Sequence, residues 1–368
     1  MAPAAVAKIR STALQHNLQR VHERAPGCPV LAVVKANAYG HGLVGTARAL
    51  DMADAFGVAR FAAAQALRRA GIDKDIVVLS GLLDAESLAL ARDIDLQVVV
   101  HDEAQVATLA GAGAGRRVRV WLKIDSGMGR LGIAAAQVAP TIERLHESHA
   151  VAPDLCLMTH LSCADETRRN ITQEQLRRFG ETIGAWDGDI SMANSAGILG
   201  WPAAVDPGPV VRYSGRNWVR PGLMLYGVSP FSDRSSRDCG LEPAMSFEGR
   251  IMAVRSIRRG DTVGYGALWQ ARRDSRIGVV NVGYADGYPW RLSNRATVRV
   301  AARAAPVVGR VSMDMISVDL TDVPQAGPGD AVVLWGQDPT VGELAGLAGM
   351  SPYELLTGVG TRVIRQNT

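Results

Sequence analysis

Residues 29–42 read PVLAVVKANAYGHG. The first six are apolar and rich in valine, the composition of a strand buried on both faces. Lys35 stands where that run ends, and Asn37, Tyr39 and His41 crowd behind it, the histidine between two glycines. An unpaired ammonium is costly to bury, so a lysine there calls for an explanation. Lysine is not the default cation of this chain. Lys and Arg together number 40, yet the lysines are Lys8, Lys35, Lys74 and Lys123 alone. Arginine stays protonated in a protein, whereas a lysine amine can lose its proton and then act as nucleophile or base.

Outward from this stretch, apolar runs of the same kind recur as AFGVAR, DIVVLSG, LQVVV, RVRVWLKID, LCLMTHLS, DISMANS and VRPGLMLYG. Between them lie segments such as LVGTARALDMA, AAAQALRRAG, AESLALARDI and TQEQLRRFGETIGAW. These carry the three-to-four-residue apolar spacing of an amphipathic helix. Strands split by helices in this way predict an α/β fold, a parallel (β/α)8 barrel of the TIM type over residues 1–235. The polar linker SPFSDRSSRDCG marks its end. Over residues 236–368 the runs become short and alternating, punctuated by Gly, Asp and Pro, which predicts a mainly antiparallel β domain.

Bulk composition narrows the classes of function. At 47% hydrophobic and 21% charged, the 368-residue chain reads as globular. A net charge of +4 with no dense basic block gives no support to nucleic-acid binding. Cys28, Cys156, Cys163 and Cys239 lie far apart without metal-ligand spacing, so they read as reduced thiols of a cytoplasmic protein and no metal is expected. MAPAAVAKIR lacks the apolar core of a signal peptide, and no apolar run reaches membrane-spanning length.

In a barrel of this type the reacting groups gather at the C-terminal ends of the strands. Those ends carry Lys35 and Tyr39, Lys123 followed by Arg130 in SGMGR, His160, Ser195 in NSAG, and Arg220 with Gly222 in VRPG. The set suits an anionic, phosphate-bearing ligand held beside a reactive amine. Singly, each has a plainer reading: a core histidine, an ordinary turn, a packing tyrosine. Convergence on one rim is what argues for a site.

With these residues assembled, the chain resembles bacterial alanine racemase along essentially its whole length. AVVKANAYGHG is similar to that family's signature around the lysine that carries pyridoxal 5′-phosphate (PLP). LKIDSGMGRLG, MTHLSCAD, NSAG, WVRPGLMLYG, VGYGALW, VGYADGY, GRVSMDMISVDL and YELL follow in the family's order. The resemblance implies a homodimer in which each active site borrows residues from the partner's β domain. It implies that Lys35 carries PLP covalently and is the base on one face of the substrate, with Tyr265 of the second subunit as the opposing base. Arg220 would face the pyridine nitrogen, with His160 as partner of that arginine. Tyr39, Ser195, Tyr353 and the backbone at Gly222 and Leu223 would hold the phosphate. Arg130 and the Met313 N–H would bind the substrate carboxylate, and Tyr284, Asp314 and Tyr353 would line the entry. Lys123 matches the family lysine that is often carbamylated; an unmodified lysine beside a bound anion is the alternative.

Two departures are visible. Ala62 and Ala63 stand where relatives commonly carry acids at a helix start, and PAAVDPGPVVRYSGRN before Trp218 is longer than expected. Alanine is a strong helix former, so that helix should survive. The rival readings are a decarboxylase or a broad-specificity racemase on the same plan, and a PLP-binding regulatory protein without turnover.

Overall fold

The computed structural model describes residues 5–208 and 210–368. Eight strands form the barrel: Leu31–Val33, Ala55–Val58, Asp75–Val78, Gln97–Val100, Val120–Lys123, Cys156–Met158, Asp189–Ser191 and Asn217–Trp218. Each pairs in parallel with the next. The ring closes where the Leu31 N–H donates to the Val219 carbonyl at 2.9 Å and the Val33 N–H to that of Pro221 at 2.9 Å.

Nearly every residue of these strands is buried, because one face meets the surrounding helices and the other fills the barrel. Ala32, Phe56, Ile76, Val98 and Leu122 belong to the outer core. Leu31, Ala55, Val77, Val99, Trp121, Cys156, Met158 and Trp218 pack against one another as the inner plug. Trp121 and Trp218 meet edge to face at 5.4 Å. Their indole N–H groups donate to Gln97 Oε1 at 2.7 Å and Asp189 Oδ2 at 2.8 Å, so burial leaves neither donor orphaned.

The eighth strand departs from expectation. The regular strand ends at Trp218, with single contacts continuing through Val219 and Pro221, and Leu223–Tyr226 of VRPGLMLYG forms a 3-10 turn instead. Pro221 lacks an N–H to continue a ladder, and the turn is fastened from outside the barrel. Asn17, buried on the helix Ser11–Arg24, donates to the Leu225 and Glu242 carbonyls at 3.0 and 2.8 Å and accepts from the Glu242 N–H at 2.8 Å. The helix holding Ala62 and Ala63 forms as expected, over Phe61–Arg69. The stretch before Trp218 contains a short helix, Pro202–Val205, and a two-residue strand, Arg212–Tyr213.

The second sheet is mainly antiparallel. The long strand Met245–Ile257 bends at a register shift near Ile251 and pairs with both Ala331–Trp335 and Ser275–Val280. Ile316–Asp319, Arg303–Val308 and Thr297–Val300 complete the circuit between those two. Val6–Ile9, ahead of the barrel in the chain, is also a strand of this sheet. It lies antiparallel to Met245–Glu248 and parallel to Ile364–Asn367. The C-terminal helix Pro352–Thr357 packs back onto the loop that follows Lys35. No helix among the described residues is long and apolar enough to cross a membrane.

Candidate active site

Strand geometry builds the mouth of the barrel. Inward-facing residues alternate, so the residue two beyond each plug residue also points toward the axis, one layer higher. Four beyond Leu31 comes Lys35, two beyond Trp121 Lys123, two beyond Met158 His160, and two beyond Trp218 Arg220. The plug is apolar; above it these four positions are cationic or polar.

Burial and one another's charges shift these groups together. Lys123 is only 7% exposed, and burial, then the charges of Arg220 and Arg130, push its amine down to about 8 against the opposing pull of Asp125. Lys35 as a residue is exposed in the single chain, yet enough protein surrounds it that burial, then Arg130, holds its amine below the ordinary lysine value. Burial, then the same four cations, lowers His160 well below the ordinary histidine value, so it is neutral at pH 7. Asp125 is engaged: although burial opposes it, the N–H groups of Gly127, Gly129 and Met128 keep its carboxylate below the usual range. The mouth thus gathers Lys35, Lys123, Arg130 and Arg220 with too little negative charge to balance them.

Arg220 is 4% exposed. Its guanidinium donates to Ser191 Oγ, to the Thr159 carbonyl at 2.5 Å and to the Met192 carbonyl at 3.4 Å. Burial draws its pKa to about 10, which leaves it charged at neutral pH. The expected Arg220–His160 partnership takes a different form. The arginine is held by the Ser191 hydroxyl and the carbonyls of residues 159 and 192, and His160 feels it only through its field. Ser191 and Thr159 lie outside the sequence-based set, because nothing in a Ser or Thr within an apolar run marks it as an anchor.

Lys35 opens an unusual loop. Ala36, Asn37, Ala38 and Tyr39 have φ of 53°, 54°, 53° and 51°, a left-handed helical turn built without glycine. Such backbone costs about 1–2 kcal/mol per residue, and it persists only where its surroundings over-determine it. Those surroundings are present. The Ala38 N–H donates to the Val34 carbonyl at 2.9 Å and the Gly42 N–H to that of Asn37 at 2.9 Å. The Leu43 N–H donates to Asn37 Oδ1 at 2.8 Å, and Arg365 Nε to the Gly40 carbonyl at 3.1 Å. Tyr39 stacks on Tyr226 at 4.6 Å, and the Tyr226 hydroxyl donates to the Val33 carbonyl at 2.9 Å.

The turn delivers the Tyr39 hydroxyl to a cradle. A Cβ on Gly222 would lie 2.5 Å from the Tyr39 oxygen, so glycine is what lets the phenol approach. Ser195 Oγ, 4% exposed, accepts the Gly222 N–H at 2.9 Å and the Met224 N–H at 3.3 Å. Leu223 lies between them in the 3-10 turn. Tyr353, on the C-terminal helix, comes within 5.8 Å of the Tyr39 ring.

The remaining expected residues sit elsewhere. Tyr265 lies in a 3-10 turn of the β domain and is 70% exposed, with no hydrogen bond or ring contact joining it to the mouth of its own chain. Met313 and Tyr284 are exposed on the same domain. Their turns are laced together by Tyr284 N–H to Ser312 carbonyl and Ala285 N–H to Met313 carbonyl, each 3.0 Å. Arg362 bridges Asp314 to the buried Asp286, 2.7 Å from its Oδ1. Arg130 is exposed at the rim.

This geometry has relatives. Residues 9–230 match the alanine racemase N-terminal domain and residues 244–367 the alanine racemase C-terminal domain. The alanine racemase of Vibrio parahaemolyticus is 44% identical over 365 residues, covering 99% of each chain. The crystal structure of the biosynthetic alanine racemase of Pseudomonas aeruginosa superposes with a TM-score of 0.91 at 41% identity, covering 100% of both chains. That of Bartonella henselae, described with covalently bound pyridoxal phosphate, has a TM-score of 0.85 at 26% identity and covers 100% of both. Matched from end to end in sequence and in fold, the chain belongs to the alanine racemase family.

Proposed function

We propose that this protein interconverts L- and D-alanine with PLP at the barrel mouth, in the cytoplasm, as a homodimer whose β domains complete each other's sites. The observation that carries the reading is the unbalanced cation cluster around a desolvated lysine, set beside the Tyr39–Ser195–Gly222 cradle. A phosphate fits that cradle, and a substrate carboxylate fits the remaining charge. The residues present therefore fit PLP. When bound, PLP supplies an electron sink that makes the proton on the substrate α-carbon removable.

The chain's own residues then divide the work. Lys35 holds the cofactor covalently and moves the α-proton on one face. Burial and Arg130 lower its pKa, which favours the free amine that such a base needs. Tyr265 of the partner subunit serves the opposite face, and its exposure in the single chain is what a residue donated across an interface requires. Tyr39, Ser195, Tyr353 and the N–H groups of Gly222 and Leu223 hold the phosphate. Arg220, charged and donating only, faces the ring nitrogen and withholds a proton from it. Arg130 and the Met313 N–H of the partner bind the substrate carboxylate, while Tyr353 with Tyr284 and Asp314 of the partner narrow the entry to a small side chain.

Lys123 completes the balance as a carbamate. Its amine, lowered to about 8, is neutral far more often at pH 7 than an ordinary lysine, and addition to carbon dioxide with loss of one proton turns a buried cation into an anion among arginines. Protein equilibrated with ¹³C-bicarbonate is expected to show a carbamate carbon resonance that Lys123→Ala lacks; an identical spectrum from both excludes the modification.

The reading as a whole is tested by one spectrum and one digest. The purified protein is expected to absorb near ~420 nm, the region of lysine-bound PLP. Borohydride should remove that band and leave the label on the peptide containing Lys35, and the untreated protein should racemise either alanine enantiomer. A label on another lysine, or carbon dioxide released from the amino acid, overturns it.

A further inference from the structure

His41 is wholly buried, and none of the roles above uses it. Its Nδ1 lies 3.1 Å from the Ala38 carbonyl and 3.0 Å from that of Tyr39, the last two residues of the left-handed turn. Both partners only accept, so Nδ1 carries the proton and donates to both. Nε2 is buried without a partner. Burial drives the ring's pKa down to about 4, with Arg365 adding to the effect, so the imidazole is neutral. Its other face meets Tyr226 at 4.6 Å, and Tyr226 in turn stacks on Tyr39.

Histidine and Tyr39 thus flank Tyr226, and both belong to the loop that starts at Lys35. One N–H closes the C-terminal end of the turn, and one ring backs the stack that aims the Tyr39 hydroxyl. We propose that His41 is a positioning residue, whose imidazole N–H holds the left-handed turn that presents Lys35 and Tyr39 to the cofactor. The inference rests on the reading of Lys35 as the PLP lysine and deepens it.

The mechanism separates two substitutions. Asparagine can place its amide N–H where Nδ1 stands; leucine fills the space without a donor. Holoenzymes of wild type, His41→Asn and His41→Leu would be diluted into a PLP-trapping buffer, and loss of the lysine-bound absorbance followed, with thermal midpoints measured beside it. His41→Leu is expected to release cofactor at least ~10-fold faster than wild type while its midpoint moves little, because the lost N–H contacts lie within one local turn. His41→Asn is expected to stay within about threefold of wild type. If leucine behaves as wild type, or if asparagine releases cofactor as fast as leucine, the N–H is not what positions the turn and the proposal fails. Should His41→Leu not fold, His41→Ala takes its place with the same two outcomes. Failure of the PLP reading itself looks different: the wild-type protein would then show no lysine-bound absorbance to lose.

Discussion

Lys35→Ala and Tyr265→Phe proteins, each nearly inactive, are expected to recover about one quarter of the wild-type rate when equal amounts exchange subunits. Removing a positioned acid or base costs typically ~10²–10⁴ in rate, and loss of the covalent lysine costs more. If Tyr265 serves the partner's barrel, a mixed dimer carries one site with both defects and one with neither. Random exchange makes about half the dimers mixed, each with one intact site of two. If Tyr265 instead served its own barrel, every site in every dimer would carry a defect and mixing would restore nothing. The expectation comes from the placement of Tyr265, 70% exposed in a turn of the β domain. Differently tagged subunits, co-purified through one tag, check that exchange occurred.

Arg220→Glu is expected to lower racemisation by roughly 10²-fold or more and to raise pyruvate released per racemisation turnover by about tenfold. Arginine at the ring nitrogen cannot accept a proton, whereas a carboxylate shares one with the ring and strengthens its pull on electrons. A longer-lived carbanion has more opportunity to be protonated at the wrong carbon. Because Arg220 is buried against the carbonyls of Thr159 and Met192, a carboxylate there also faces two acceptors, so the thermal midpoint will fall. Arg220→Lys keeps the charge and serves as the control. A glutamate variant that folds and yields no additional pyruvate shows that Arg220 does not govern the ring nitrogen.

Much of the fold is legible in the chain because strands buried on two faces write themselves as unbroken apolar runs. Seven of the eight barrel strands coincide with such runs, and their period of two places Lys123, His160 and Arg220 one layer above the plug. The eighth was misplaced downstream because LMLY is as apolar as a strand, and only the fastening by Asn17 and the proline before it make it a turn. The left-handed turn at 36–39 was invisible for a related reason. Ala-Asn-Ala-Tyr contains no glycine to announce positive φ, and the contacts that impose it come from Tyr226 and Arg365, nearly 190 and more than 300 residues away. His41 was visible as a motif residue and silent as to role, since its role lies in which carbonyls it meets. The anchors of Arg220 were hidden likewise, two of them being backbone.

The pairing of Val6–Ile9 with strands near residues 245 and 364 carries a consequence for biosynthesis. In a growing polypeptide this segment is made well before either of its neighbours. At ~5–20 residues per second, elongation separates the segment from its earlier mate by roughly ten to fifty seconds. During that interval, while the barrel strands are being made, its ladder groups lack their native partners. Lys8, which later pairs with Glu248 at 2.7 Å, is then an unpaired charge in the middle of the nascent strand and keeps it from joining the wrong edge.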